Sequence, residues 1–316
     1  MVTREPAAVP PLEADTASRW WTYQRERFPL AAMGTLACVL ACSALAFSAL
    51  VRDADALPAA WNAFAAAASA LLLFAQMRVL DEFKDADDDR AFRPYRPVPR
   101  GLVTLGELGW IGASAAIAQL ALALSVDARL AWLLAGVWAY LGLMAAEFFA
   151  ADWLKARPLA YLASHVPVSG GIAFYLTAFD WLPAGADAHP ALAWWAACAV
   201  GAATLLEIGR KIRAPVDEER GVVTYTAAWG RDGAIVAWLA AGAATLVAGW
   251  LAARAIGLAG PFAALAATLA ILAALSGTRY LSRPVRARAR QIETLSGIAT
   301  LALYAGLGPL GLVVAS

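Results

Sequence analysis

A chain of 316 residues that is 61% hydrophobic and only 16% charged, with a mean hydropathy of +0.62, falls outside the range of ordinary soluble domains. Its net charge of +1 gives a nucleic-acid role no support. The three cysteines, Cys38, Cys42 and Cys198, all lie in apolar runs without metal-ligand spacing, which argues against disulfides; Cys38 and Cys42 read as small packing residues.

Residues 1–29 are polar and contain prolines, with no cleavable leader, and read as a cytoplasmic tail that is disordered over 1–18. Within it Trp20, Trp21 and Tyr23 suit an interfacial belt, with Arg25 and Arg27 below. Nine apolar runs follow, at about 30–51, 59–80, 103–125, 129–149, 159–180, 190–208, 232–253, 257–276 and 294–315. About 20 helical residues cross a bilayer core, and none of the runs alternates with the period-2 pattern of barrel strands. The expectation is an all-α, multi-pass membrane protein in which one bundle of about nine helices fills residues 30–316.

Charge fixes the orientation. Of the 25 Lys and Arg, only Arg52, Arg129 and Arg254 lie away from the N-terminal segment and the exits of the even-numbered runs. The positive-inside rule then places the N-terminus and those exits in the cytoplasm, and the C-terminus on the opposite side. The basic stretch after the eighth run, Arg279 to Arg290, carries no carboxylate and reads as an orientation signal that touches lipid headgroups.

The second run leads into Arg78–Gly101, which reads RVLDEFKDADDDRAFRPYRPVPRG. A helix continuing past Leu80 would carry Asp81, Asp85 and Asp89 on roughly one face. Clustered carboxylates suit Mg²⁺, and arginines just beyond them suit phosphate oxygens. The plain alternative is a solvated loop. The fifth run contains Pro167, Gly170 and Gly171, which predicts a kink or a half-helix lining a cavity. His165 beside them is either a general base or acceptor contact, or a polar group bonded to a neighbouring helix. His189 lies in an external loop without evident chemistry. The sixth run exits into a second charged stretch, EIGRKIRAPVDEERGVVTYTAAWG, that begins at Glu207. Two such clusters at equivalent exits fit two halves of one site, able to hold two Mg²⁺ ions on one diphosphate.

At these two stretches the chain resembles the UbiA superfamily of membrane prenyltransferases. That family's first motif is NDxxDxxxD followed by RPxPxG; here Asp81 stands at the Asn, Glu82 at the first Asp, Asp85 and Asp89 at the next two, and RPVPRG follows. Its second motif is DxxxD; Asp217 matches the second Asp, while Arg213 stands at the first, and Glu207, Glu218 and Glu219 are the candidates for the missing carboxylate. The resemblance implies a nine-helix bundle that uses Mg²⁺ to ionise a polyprenyl diphosphate and passes the prenyl group to an aromatic or other lipophilic acceptor. Asp81, Glu82, Asp85, Asp89, Asp217 and Glu218 would hold metal, with Asp85 and Asp217 central to catalysis. Arg93, Arg96, Arg210 and Lys211 would bind diphosphate. A terpene cyclase of the same fold is the alternative. A transporter ranks well behind, because carboxylates in the middle of the runs are almost absent.

Overall fold

The structure is a computed structural model that describes residues 16–219 and 221–315, and among these there is no β-strand. Fourteen α-helices follow in chain order: α1 Thr16–Arg27, α2 Leu30–Val51, α3 Ala60–Lys84, α4 Ala86–Phe92, α5 Leu105–Val126, α6 Leu130–Ala145, α7 Ala151–Lys155, α8 Pro158–His165, α9 Pro167–Trp181, α10 Leu192–Arg210, α11 Tyr225–Ala255, α12 Ala259–Ser282, α13 Arg286–Leu307 and α14 Pro309–Ala315. Eight segments among the described residues are long and apolar enough to cross a membrane, counting α8 with α9 and α13 with α14 as one each. The remaining expected run, the fourth, is α6, whose 16 residues span only ~24 Å.

The nine segments close into a ring. Contacts run from α2 to α3, α5, α6, α9, α10, α11, α12, α13 and back to α2. Crossing contacts of α2 with α9 and of α10 with α13 fill the middle. There Trp195 of α10 stacks on Phe47 of α2 and meets Tyr304 of α13, with ring centroids 5.6 and 5.4 Å apart. Small residues set the spacing. A Cβ on Gly170 would fall 2.7 Å from Val200 and 3.2 Å from the Ala196 carbonyl, so α9 reaches α10 only because it has none.

The ends of the segments differ from expectation where backbone chemistry overrides hydropathy. Residues 16–18 belong to α1; the rest of the segment expected to be disordered lies outside the described residues. Tyr23 of α1 is buried with Val79, Val103 and Leu108 rather than sitting in an interfacial belt. Cys38 and Cys42 are exposed on the outer face of α2 instead of packing between helices. The seventh segment starts at Tyr225 and bends at Gly230, whose φ of 72° only glycine adopts without strain. The ninth begins at Arg286, because arginine and alanine continue a helix well in water. The fifth breaks between His165 and Pro167, since proline has no N–H for the helical ladder.

The basic stretches gather at one end of the bundle. Arg100 pairs with Glu26, Lys155 with Asp88, and Arg286 with Asp217, while the Tyr95 hydroxyl donates to Glu219. At the other end Arg52 holds Asp180 in a two-pronged pair at 2.8 and 3.1 Å.

Candidate active site

The helical path continues out of α3 nearly unbroken. The amide of Asp85 donates to the Asp81 carbonyl at 2.9 Å, and that of Asp89 to the Asp85 carbonyl at 2.8 Å. The one-turn spacing of Asp81, Asp85 and Asp89 is therefore real in the backbone. Their side chains have different fates. Asp89 is buried and ion-paired with Arg96 at 2.7 Å, Arg93 at 2.8 Å and Arg27 at 3.9 Å. Glu82 is buried against Arg27 at 2.6 Å and Arg78 at 3.5 Å, and accepts from the Tyr23 hydroxyl. Two of the six expected metal ligands, Glu82 and Asp89, are thus neutralised by arginines, and two of the four expected diphosphate contacts, Arg93 and Arg96, are engaged by Asp89. Asp81 has a half-exposed side chain, 3.3 Å from Arg78 and 3.8 Å from Lys84. Asp85 makes no ion pair among the described residues. Burial, with the charges of Asp81 and Asp89, pushes its carboxyl above the usual carboxylate range.

Across the site stands the last turn of α10. Glu207 lies between Arg210 at 2.5 Å and Lys211 at 2.8 Å. Lys84, 3.8 Å from Asp81, donates to the Tyr161 hydroxyl, and Tyr161 stacks on His165, so the exits of α3 and α8 meet. The Asp81 charge is felt at Arg210 and the Glu207 charge at His165, which turns the exit of α10 toward the same space. The following loop uses its carboxylates locally. Glu218 accepts the hydroxyls of Thr224 and Thr226, both at 2.6 Å. Asp217 is held by Arg286, which keeps its carboxyl below the usual range. Arg213 is fixed through its backbone, its N–H donating to Thr226 and its carbonyl accepting from Tyr280. Gly221, at φ 78°, packs on the Phe92 ring, where a Cβ would come within 2.4 Å. That contact joins the two charged loops. Of the carboxylates considered for the missing Asp, Glu207 is the one beside the shared space. Among the described residues no three His, Cys, Asp or Glu side chains converge as a metal site. The expected gathering of Asp217 and Glu218 with the α3 carboxylates is not seen, because arginine and threonine partners hold both.

Three residues around His165 had no assigned role in the sequence. Lys84 donates to the Tyr161 hydroxyl at 2.5 Å and lies 3.6 Å from Glu147. Tyr161 stacks on His165 with ring centroids 3.9 Å apart. The one signal was Glu147 itself, a carboxylate inside the apolar stretch LMAAEFF. Nearby, a cleft of about 210 Å³ opens between α6 and α9, lined by Val137, Tyr140, Pro167, Gly171, Phe174 and Tyr175 among others.

No family model and no curated protein matches the sequence. Solved structures do. A UbiA homologue from Aeropyrum pernix K1 in the apo state superposes with a TM-score of 0.63 at 21% identity, over 88% of this chain and 97% of the other. The fold is that of the UbiA homologues. A UbiA homologue from Archaeoglobus fulgidus, bound to DMAPP and Mg²⁺, superposes with a TM-score of 0.56 at 17% identity, over 92% of this chain and 99% of the other. A structure described for digeranylgeranylglyceryl phosphate synthase in membranes gives 0.57 at 16% identity, over 92% and 98%. The chain is thus a multi-pass membrane protein of the UbiA fold.

Proposed function

We propose that the protein is a Mg²⁺-dependent prenyltransferase, which ionises a prenyl diphosphate at the charged end of the bundle and passes the prenyl group to a lipophilic acceptor. One observation carries this reading: Asp81 and Asp85, one helical turn apart at the exit of α3, stand with Arg210 and Lys211 of α10 around one space in a UbiA fold. The relative that binds DMAPP and Mg²⁺, and the one described as a synthase, support it.

The donor set fits the metal. Mg²⁺ takes one or two carboxylates, substrate phosphates and water, and of the four motif carboxylates at the α3 exit Asp81 and Asp85 are the two left free of a tight arginine clamp. Asp85 is the better witness, since a partly buried carboxyl crowded by two like charges is relieved by a cation. When bound, the ion would offset the negative charge that develops on the leaving diphosphate. Arg210 and Lys211 add fixed donors for the same charge, in a geometry set by Glu207. Arg27, Arg93 and Arg96 hold Glu82 and Asp89 and so keep the α3–α4 path rigid beneath the site. Asp217 and Glu218 are assigned to keeping the second loop in place. The apolar bundle shields the allylic carbon from water. In this reading the charged end and α1 lie in the cytoplasm, as the distribution of Lys and Arg requires.

The test uses protein purified in detergent with Mg²⁺ and prenyl diphosphates of increasing chain length. Pyrophosphate release that needs an added acceptor, and that disappears in Asp85→Asn, is the expected result. Release without acceptor, together with a hydrocarbon or terpene alcohol, would make the protein a cyclase. Undiminished release in Asp85→Asn would remove the metal role.

A further inference from the structure

Glu147 sits on backbone that proteins rarely use. After α6 the chain turns through Glu147, Phe148 and Phe149 with φ of 49°, 51° and 58°. None is glycine, and left-handed conformation brings the Cβ of each such residue too close to the following carbonyl oxygen. Consecutive strained residues persist where surrounding structure demands them, and such runs mark functional sites. The result of this turn is to carry a carboxylate inward, where Glu147 is 6% exposed.

What Glu147 meets there is incomplete. Its Oε1 lies 3.6 Å from the Lys84 ammonium. Its Oε2 is buried without a hydrogen-bond partner, and so is Nε2 of His165. These two atoms face each other at 3.8 Å. On the other edge of the ring, Nδ1 of His165 lies 2.9 Å from the Tyr161 carbonyl. The Ser164 hydroxyl, 3.0 Å from Nδ1, spends its own proton on the Tyr161 carbonyl. Both neighbours of Nδ1 therefore accept, so Nδ1 carries the proton of the neutral imidazole and Nε2 presents a lone pair. Two buried acceptors thus confront one another with no donor between them, and leaving such atoms unpaired is costly. An oxygen placed ~2.8 Å from both closes a triangle on the 3.8 Å edge, and a hydroxyl there donates its single proton to one of the two acceptors at a time. The surroundings are aromatic. Phe148 packs edge-on against His165, and Tyr140 edge-on against Phe148. Tyr140 also lines the 210 Å³ cleft between α6 and α9.

We propose that Glu147 and His165 form a hydroxyl-binding, proton-accepting pair for the acceptor substrate, which enters its reactive hydroxyl between them from the cleft between α6 and α9. This rests on the prenyltransferase reading. In the step, the bond from the prenyl C1 to the diphosphate oxygen breaks and its electron pair leaves on the diphosphate. The new bond to C1 forms from the acceptor's hydroxyl oxygen or a carbon conjugated to it. The hydroxyl proton passes to Nε2 of His165, and the imidazolium is held against the Glu147 carboxylate. Lys84 stands between this pair and Asp81, at 3.6 Å from Glu147 and 3.8 Å from Asp81, and so connects the acceptor side to the diphosphate side.

The test is binding without chemistry. A 4-alkylphenol and its methyl ether have similar shapes, but only the phenol donates a hydrogen bond. Wild-type protein in detergent, with no diphosphate present, is titrated with each and followed by thermal shift and tryptophan fluorescence. The expected result is at least ~tenfold tighter binding of the phenol, because a site built for a hydroxyl rejects an analogue that leaves its buried groups unpaired. In Glu147→Gln the amide would donate to Nε2 itself and take the hydroxyl's place, so the preference should vanish; His165→Phe should lose it too. Binding of Mg²⁺ with inorganic pyrophosphate should be unchanged in both variants. Equal affinity of wild type for the two probes would overturn the proposal and leave an internal ion pair only. A preference that survives both substitutions would overturn it as well. Failure of the prenyltransferase reading shows separately, as absent Mg²⁺-dependent pyrophosphate release from wild type.

Discussion

The exit of α3 presents carboxylates to the site, whereas the exit of α10 presents cations. Both are helix C-termini, where the backbone dipole favours positive charge. Arg210 and Lys211 are therefore at ease at the end of α10, and Glu207 between them adds to their order. Asp81 and Asp85 stand at the unfavourable end of a 25-residue helix, next to each other. Glu82 and Asp89 in the same stretch have been fully answered by Arg27, Arg78, Arg93 and Arg96. The contrast teaches that the negative charge of the α3 exit is answered unevenly: Glu82 and Asp89 are clamped by arginines, Asp81 is held only at 3.3 Å by Arg78 and 3.8 Å by Lys84, and Asp85 has no ion pair among the described residues, which is where the proposed cation would act.

The strongest way to break that contrast is Asp85→Asn. Pyrophosphate release should fall by ~10³-fold, the upper range for removing a group that answers charge in the transition state. The same substitution should stabilise the Mg²⁺-free protein. Because the folded-state carboxyl is raised above the usual value, its favourable contribution is complete at acid pH, below the unfolded-state value, and is lost as pH rises through the folded-state value. At neutral pH the ionised Asp85 strains the metal-free fold, and asparagine removes that strain. Thermal midpoints in detergent with chelator, compared at pH 4 and pH 7, should show a gain for the variant only at pH 7. Identical midpoints at pH 7 would mean that Asp85 is not electrostatically crowded. Next in size is Arg210→Ala. A hydrogen bond to a charged group contributes ~1.5–3 kcal/mol, or about 10–100-fold, so the KM for prenyl diphosphate should rise by that order. An unchanged KM would take the α10 exit out of diphosphate binding.

The sequence made the bundle legible because apolar runs of bilayer length have few other solutions, and Pro167 announced the break in the fifth segment. The spacing of Asp81, Asp85 and Asp89 was equally readable, since a helix face is a local property. Which of these carboxylates stays free was not. That depends on Arg27, 55 residues before Glu82, and on a helix, α1, whose arginines look like an orientation signal when read alone. The inward turn at Glu147 was hidden for a similar reason. Hydropathy carried the fourth run through to residue 149, whereas the chain leaves helical geometry after Ala145 through residues with no special preference for left-handed backbone. The partner of Asp217 was not legible because the motif counts positions along the chain, while Arg286 lies 69 residues away.

The smallest expected effect sharpens the comparison most. Asp217 matches the family's second motif better than any other carboxylate of the α10 exit, and by motif alone its loss should be as damaging as that of Asp85. Its surroundings say otherwise. It sits in a short turn, Pro215–Asp217, and its carboxylate is already engaged by an exposed arginine of α13. Exposed ion pairs of this kind contribute little. Asp217→Asn should therefore keep pyrophosphate release within about threefold of wild type, with Mg²⁺ dependence unaltered. Arg286→Gln should behave like it, since both act only on the same loop. A loss approaching that of Asp85→Asn, with a raised Mg²⁺ requirement, would show that Asp217 leaves Arg286 for a cation when diphosphate binds, and would restore the two exits to equal partners in holding metal.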